Sequence, residues 1–210
     1  MAALGPRFRG DDGLCSGEEV DWNWHDRAGR IGRRAALGLG LGFLLAPRLA
    51  HAQTEPARER PKEGDLLVVV GASPAEALKP EDLRVGGKQT FAWPMDPESH
   101  TVRSGSRLNK VLLLRLDPEG FDHDTSERAA EGVVGYSAVC THTGCDVASW
   151  HPDRQLLECP CHYSFYDPKE EAKVVSGPAP RRLPALPLKI VEGRLVVAKP
   201  FTGRAGFQQM

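Results

Sequence analysis

The sequence predicts an all-β domain of antiparallel strands, arranged as a sandwich or a partial barrel. Apolar and β-branched runs are short, and Gly, Pro and Asp interrupt them at close intervals. Only two stretches of four or five residues have a locally helical pattern, at residues 75–78 and 126–130. Short strands with frequent turns are typical of an all-β fold.

The predicted strands begin after residue 64. They cover residues 65–70, 110–116, 132–139, 155–158, 188–191 and 194–198. The last two strands flank Glu192-Gly193, which predicts a β-hairpin. The second helical stretch lies inside an acidic loop, residues 117–131.

The N-terminal residues 1–52 have the pattern of a twin-arginine export signal. Arg33-Arg34 precedes an apolar run at residues 35–46, and Ala50-His51-Ala52 resembles a cleavage site. A membrane-spanning helix needs roughly 20 apolar residues, so the length of the run favours cleavage over anchoring. Cys15 lies in this leader, where we expect no role in the mature protein.

The remaining residues predict a short tether followed by one domain. Residues 53–64 are rich in charge and proline, which is typical of a linker, and residues 65–210 are long enough for one substantial core. Residues 53–210 carry a formal net charge of −2, and nothing in them indicates nucleic-acid binding. Export would deliver the domain to an oxidising compartment, where disulfides form.

Two Cys-plus-His motifs stand out, C-T-H-T-G-C at residues 140–145 and C-P-C-H at residues 159–162. Thiolates suit zinc, copper(I) and iron-sulfur clusters, while imidazoles suit zinc, copper and iron, so these ligand types alone leave zinc open. Zinc sites usually space their cysteines as C-x2-4-C, whereas each motif here pairs a cysteine with a histidine. Two cysteines with two histidines are instead the ligand set of a Rieske [2Fe-2S] centre.

At these residues the chain resembles the Rieske family, whose motifs are C-T-H-x-G-C and C-P-C-H-x-S. The resemblance implies one [2Fe-2S] cluster per chain. Cys140 and Cys159 would bind one iron, and His142 and His162 would bind the other.

The same resemblance implies a disulfide between Cys145 and Cys161 that ties the two motif loops together. It also implies a fold, in which a smaller cluster-binding subdomain at about residues 139–180 is inserted between the strands of the larger unit. A cross-link of this kind contributes roughly 3 kcal/mol in the chain-entropy model.

Ser164 and Tyr166 occupy positions that, in high-potential members of the family, donate hydrogen bonds to cluster sulfurs. Such hydrogen bonds favour the electron-rich reduced state, so the resemblance implies a centre that accepts electrons readily. The segment S-G-P-A-P at residues 176–180 matches the proline-rich loop that covers the cluster in the family.

Two positions depart from the pattern of the bc1-type members. Thr143 stands where those proteins usually have leucine, and Tyr163 stands where they usually have glycine. An aromatic residue at position 163 resembles the small Rieske subunit of arsenite oxidases, although those often lack the tyrosine found here at position 166. Both subfamilies remain open from the sequence.

The sequence therefore predicts one-electron transfer through a high-potential Rieske cluster. The chain would act in the periplasm, as an electron-transfer protein or as the small subunit of an oxidoreductase. The alternative is a membrane-anchored iron-sulfur subunit of a quinol:cytochrome c reductase. The expected partner is a c-type cytochrome, a cytochrome b complex or a large catalytic subunit.

Other features are expected to be ordinary. Trp150 is interpreted as packing, and His151 as a surface histidine without a partner in either motif. A soluble Rieske ferredoxin is disfavoured by the additional cysteine pair and the export signal. A complete ring-hydroxylating oxygenase would need a larger catalytic domain with a separate iron site, for which the chain has no room.

Overall fold

The computed structural model describes residues 55–207. The predicted export signal, Cys15 and the first two residues of the predicted tether lie outside the described residues. None of the helices within residues 55–207 has the length and hydrophobicity that crossing a bilayer requires.

The described residues form ten strands and very little helix. The strands are β1 (Leu66–Val69), β2 (Thr90–Met95), β3 (Val111–Arg115), β4 (Val133–Ser137), β5 (Ser149–His151), β6 (Leu156–Cys159), β7 (Ser164–Asp167), β8 (Lys173–Ser176), β9 (Leu188–Val191) and β10 (Arg194–Val197). There is one short α-helix, α1 (His123–Arg128), and there are three 3-10 turns, Pro56–Arg58, Pro80–Asp82 and Arg107–Asn109. The prediction of an all-β antiparallel fold is confirmed.

The larger sheet has the order β4-β3-β2-β1-β10-β9 and curls into a partial barrel. The chain just before β9 pairs with the open edge of β4, where Leu186 N donates to Gly135 O (2.8 Å) and Ser137 N donates to Pro184 O (2.9 Å). A β-carbon at Gly135 would lie 3.1 Å from Leu186 O, so glycine permits this close approach. Pairing between the two ends of the sheet encloses its apolar face.

The predicted hairpin at the end of the chain is confirmed. Strands β9 and β10 pair antiparallel around Glu192 and Gly193. Both turn residues have positive φ, 51° and 74°, as a two-residue turn that matches strand twist requires.

The smaller sheet, β5-β6-β7-β8, is inserted in the chain between β4 and β9. It packs against the larger unit through a shared core, in which Leu112 and Tyr136 of the barrel meet Leu157 and Tyr166 of the inserted sheet. The shared core fixes the inserted sheet against β3 and β4. Both Cys-plus-His motifs lie next to it, one directly before β5 and one between β6 and β7.

The helical prediction at residues 75–78 is wrong. This segment is extended, because Leu78 N donates to Leu67 O (2.8 Å) and Ala77 forms a β-bridge with Val68. Four residues are too few to nucleate a helix, so pairing with Leu67 and Val68 of β1 prevails. The other predicted helix, at residues 126–130, begins earlier, since Asp122 caps α1 by accepting from Thr125 N (2.7 Å).

Strand β2 was missed from the sequence because Pro94 interrupts its apolar run. Proline lacks the N–H that a central strand donates, which argues against a strand. In the fold, β2 pairs with β3 only from Thr90 to Ala92, whereas it pairs with β1 from Ala92 to Met95. Pro94 therefore lies beyond the part of β2 that pairs with β3. On that side Pro94 O accepts from Arg103 N (2.8 Å), and Arg103 O accepts from Asn109 Nδ2 (3.1 Å) instead of from a backbone N–H at position 94.

A buried ion-pair cluster fixes residues 55–64, the described part of the predicted tether, against the barrel. The Arg103 side chain is 2% exposed and donates to both Asp65 oxygens, at 2.7 and 3.0 Å. It also donates to Glu59 (2.8 Å) and Asp96 (3.2 Å). Hydrogen bonding to Asp65 raises the pKa of Arg103. One guanidinium thus joins the N-terminal segment, the start of β1 and the end of β2.

Replacing Arg103 with Met is expected to lower the free energy of unfolding by about 3 kcal/mol, because the Asp65 carboxylate would stay buried without its cation. The figure is at the lower end of the usual range since Lys62 N still donates to Asp65 (2.8 Å). The midpoint of urea unfolding measures the change. Arg194→Met is the control, because its ion pair with Glu192 is exposed and should contribute little. Equal midpoints for the two variants would contradict the assignment.

Candidate metal centre

The first motif forms a tight loop after β4. Cys140 N donates to Cys145 O (2.7 Å) and Gly144 N donates to Cys140 O (3.1 Å), so the two ends of the loop are joined. Gly144 has a φ of 83°, which glycine adopts easily. A β-carbon at Gly144 would also approach the Phe207 ring to 3.2 Å. The loop is thereby held in one shape, with His142 between its joined ends.

The second motif forms the turn of the β6–β7 hairpin. Cys159 and Ser164 are paired across the hairpin, and Tyr163 N donates to Cys159 O (3.0 Å). Tyr163 has a φ of 57°, and the residue is 66% exposed. This backbone position is left-handed, which explains why glycine suits it and makes a tyrosine there uncommon.

A disulfide links the two loops, as the sequence resemblance implied. It joins Cys145 to Cys161 with a Cα–Cα distance of 6.5 Å. Cys145 is half-buried and Cys161 is exposed. The disulfide therefore joins the two loops, and its Cys161 end is open to solvent.

Cys140 and Cys159 are the free cysteines of residues 55–207, and both are buried. The Cys159 sulfur lies within 4.8 Å of both disulfide sulfurs. Burial, with a smaller contribution from the neighbouring Cys140 thiol, raises the pKa of the Cys159 thiol to about 11. Two adjacent thiols in such a site bind a metal as thiolates, since the cation replaces their protons.

The two motif histidines face each other. The ring centroids of His142 and His162 are 4.7 Å apart, and the ring planes are nearly perpendicular. His142 is half-buried and His162 is exposed. The Nδ1 atom of His142 is buried and has no hydrogen-bond partner among the described residues. A buried imidazole nitrogen without a partner is suited to binding a metal.

Tyr166 lies directly against the first cysteine. Its hydroxyl oxygen is 3.2 Å from the Cys140 sulfur, and both side chains are buried. Burial raises the pKa of Tyr166, and the Cys140 thiol adds to this shift, so the phenol keeps its proton at neutral pH. A protonated phenol beside a thiolate donates a hydrogen bond to the sulfur.

Ser164 is buried at the start of β7, where its hydroxyl oxygen accepts from Ala179 N (3.1 Å). Ala179 belongs to the proline-rich segment, residues 176–180. The hydroxyl proton of Ser164 is not used in this contact and can be donated to another acceptor. The structure thus places Ser164 between the second loop and the proline-rich segment.

The proline-rich segment packs closely over the second loop. A β-carbon at Gly177 would lie 2.5 Å from Tyr163 O and 2.5 Å from Ser164 Cα, so only glycine fits there. Just beyond this segment, Arg181 O accepts from Thr141 Oγ1 (2.6 Å) in the first loop. Both loops therefore contact one continuous segment, residues 177–181.

Charges that the sequence does not reveal support the first loop. Asp146 accepts from Lys110 Nζ (2.7 Å) and Arg107 Nη2 (3.0 Å). Burial alone would raise the pKa of Asp146, but these two hydrogen bonds lower it below the usual range. No local signal identifies this pairing, because both cations precede Asp146 by more than 30 residues.

His151 also has a partner that was not expected. Its Nε2 contacts the buried carboxylate of Glu158, which directly precedes the second motif, and its ring lies 5.7 Å from the Phe165 ring. The two residues are diagonal neighbours across β5 and β6. Recognising β5 as a strand would have revealed the pair.

The donors brought together here fit a metal centre with mixed ligands. The structure supplies two buried free thiols, two facing imidazoles and an unpaired His142 Nδ1. This set suits a [2Fe-2S] cluster with two cysteines on one iron and two histidines on the other. The donor set alone would also satisfy zinc.

Comparison with known proteins distinguishes these metals. The family model for the Rieske [2Fe-2S] domain matches residues 109–187, which include both motifs. The cytochrome bc1 complex Rieske iron-sulfur subunit of Streptomyces lividans is 36% identical over 127 residues, covering 59% of this chain and 73% of that protein. The same-named subunit of Mycobacterium tuberculosis is 31% identical over 145 residues, covering 61% of this chain and 34% of that protein.

The chain is also similar to solved structures. The soluble domain of the Rieske protein II of Sulfolobus acidocaldarius superimposes with a TM-score of 0.34 and 22% identity. The superposition covers 42% of this chain and 61% of the Sulfolobus acidocaldarius chain.

Proposed function

This chain belongs to the Rieske [2Fe-2S] protein family, and we propose that it is a high-potential one-electron carrier on the outer side of the membrane. The observation that carries this proposal is the convergence of two buried free thiols and two facing imidazoles between loops joined by a disulfide. Family membership assigns a [2Fe-2S] cluster to this domain, so zinc is set aside.

The proposed ligands are the four residues of the two motifs. Cys140 and Cys159 bind one iron through their sulfurs, and His142 and His162 bind the other through imidazole nitrogens. When bound, the cluster supplies a one-electron redox couple. The exposed His162 ring gives the histidine side of the centre access to solvent, while both thiols are buried. Electrons are therefore expected to leave and enter on the histidine side.

Hydrogen bonds from this chain support a high potential. Tyr166 places a protonated phenol 3.2 Å from the Cys140 sulfur, and Ser164 retains a free hydroxyl proton at the second loop. Donors near ligand sulfur stabilise the extra electron of the reduced state. Neutral imidazole ligands act in the same direction, because they leave the centre less negative than thiolates would.

Replacing Tyr166 with Phe is expected to lower the midpoint potential while the cluster remains bound. Loss of one hydrogen bond to the sulfur should change the relative stability of the two redox states by about 1 kcal/mol, or about 40 mV for one electron. Redox titration of the purified protein measures the shift.

Tyr136→Phe is the matched control for this change. Tyr136 is a buried tyrosine of the same core, but its hydroxyl donates to Pro168 O (2.7 Å) and not to a cysteine sulfur. Its loss should leave the potential unchanged. A potential in Tyr166→Phe that equals the wild-type value would show that the phenol does not act on the ligand sulfur.

The proposed location is the periplasm, with export by the twin-arginine route. The Arg33-Arg34 signal supports it, since this route carries folded proteins and a cluster could be inserted before export. The proposed partner is a c-type cytochrome or the large catalytic subunit of an oxidoreductase. The aromatic residue at position 163 supports the arsenite-oxidase type of small subunit.

A second candidate is the iron-sulfur subunit of a quinol:cytochrome c reductase, anchored by an uncleaved signal. It is favoured by relatives that are named as subunits of the cytochrome bc1 complex. Membrane retention of the processed protein, and cluster reduction by quinol only in the presence of a cytochrome b complex, would support this second candidate.

Cluster content tests the proposal most directly. The exported protein should contain two iron and two inorganic sulfide per chain, as a [2Fe-2S] centre requires, and its reduced form should give a rhombic EPR signal with an average g value below two. A lone zinc ion in place of iron would overturn the proposal.

A further inference from the structure

An open groove of about 710 Å³ lies beside the first motif loop. Leu108 and Val139 give it an apolar lining, and Gly144 belongs to the loop itself. Residues 204–207 at the end of the described chain form part of its wall, where Phe207 is 46% exposed. The groove therefore adjoins the loop that carries His142.

The exposure of Phe207 is fixed by the backbone before it. Gly206 has a φ of 76°, and a β-carbon there would lie 2.9 Å from the Leu108 side chain, so the backbone at Gly206 packs closely against Leu108 in the groove lining. The Arg181 guanidinium donates to Gly206 O, while Arg181 O accepts from Thr141 in the first loop. The aromatic ring is thus presented by a segment that is tied to the loop.

The surroundings of this groove are positively charged. Arg107 and Arg204 line it together with uncharged residues only. Arg107 shares the single carboxylate of Asp146 with Lys110, so two cations face one anion. Arg204 is exposed and forms no ion pair with any residue in the range 55–207. This local excess of positive charge contrasts with the formal net charge of −2 over residues 53–210.

We propose that the groove is a docking surface for an electron-transfer protein with an acidic face, which contacts Phe207 and is guided by Arg204. The inference rests on the proposed function, because docking here brings a partner to the loop that holds a histidine ligand. An apolar centre with a charged rim is typical of transient protein interfaces. Charge complementarity increases the association rate most, and its effect falls with ionic strength.

Small oxidants of opposite charge test the local electrostatics. Hexacyanoferrate(III) and tris(1,10-phenanthroline)cobalt(III) each take one electron from the reduced cluster, giving hexacyanoferrate(II) and the cobalt(II) complex. With the wild type, the rate constant with the anionic oxidant should fall as ionic strength rises, although the domain as a whole is negative. Arg204→Glu should slow this oxidant about fivefold at about 10 mM ionic strength and speed the cobalt complex.

Lys79→Glu is the matched control. Lys79 is an exposed residue of the barrel, outside the lining of the groove, and its reversal changes the net charge by the same amount as Arg204→Glu. It should change either rate by less than about twofold. Equal effects of the two variants, or an anionic-oxidant rate that increases with ionic strength in the wild type, would overturn the docking proposal.

A protein oxidant tests the apolar contact. Phe207→Ala should slow electron transfer to an acidic c-type cytochrome several-fold, yet leave the rate with hexacyanoferrate(III) unchanged. An unchanged cytochrome rate overturns the proposal, as does a concentration-dependent dimer that Phe207→Ala abolishes, because a second copy would then occupy the groove. EPR of each protein separates failure of the docking proposal from failure of the proposed function. A normal signal in variants with unaltered rates would refute the docking proposal alone. A wild type without the signal would refute the proposed function and the docking proposal together.

Discussion

Cys140→Ser and Cys159→Ser are each expected to lose the cluster completely. Both sulfurs are buried in the shared core and the only other described cysteines form the disulfide, so no thiolate can substitute for the lost ligand. A serine hydroxyl is a harder and less acidic donor than a thiol, and suits iron-sulfur ligation poorly. Iron and sulfide analysis should give values near zero, and the rhombic EPR signal should disappear.

Histidine variants provide a matched pair for the same experiment. His162→Ser should also abolish the EPR signal, since it removes a proposed ligand to the second iron. His151→Ser should retain the cluster, because His151 contacts Glu158 and Phe165 and neither of the two motif loops. Full iron content in His162→Ser, or loss of iron in His151→Ser, would show that the ligand set has been assigned wrongly.

The metal centre could be predicted from the sequence because its chemistry lies in two short segments. Each motif closes on itself through local bonds, such as Cys140 N to Cys145 O and Tyr163 N to Cys159 O. Local spacing therefore determines which side chains point between the loops. The Cys145–Cys161 disulfide followed from the family pattern, and the structure confirms it.

The parts that the sequence did not reveal depend on contacts between distant segments. Pro94 hides β2, because only the tertiary arrangement shows that β3 does not pair with this strand at the proline. Residues 75–78 become extended through pairing with β1. Phe207 and Arg204 lie beyond every recognisable motif and reach the first loop only because the chain returns to it after β10. Periodicity and spacing carry no information on such returns.

Removing the disulfide, by Cys145→Ser together with Cys161→Ser, is expected to destabilise the domain by about 3 kcal/mol and to shorten the lifetime of the bound cluster. The 16-residue separation of the two cysteines sets the first figure, through the loop entropy that the cross-link removes from the unfolded chain. For a domain of this size, the melting temperature should fall by about 6–12 °C. Thermal unfolding of the two apoproteins isolates this effect from cluster binding.

The effect on the cluster has a separate origin. Without the cross-link, the first loop would still be held by Thr141 and Asp146, but the second loop would rely on the β6–β7 hairpin and the packing of Gly177. The proposed ligands His142 and His162 would then be able to move apart, so iron should be released faster under air. A chemical reductant should reproduce this in the wild type, since Cys161 is exposed. If the double variant kept its cluster as long as the wild type while losing stability, the disulfide would act on the fold alone and the proposed bracing of the two loops would be wrong.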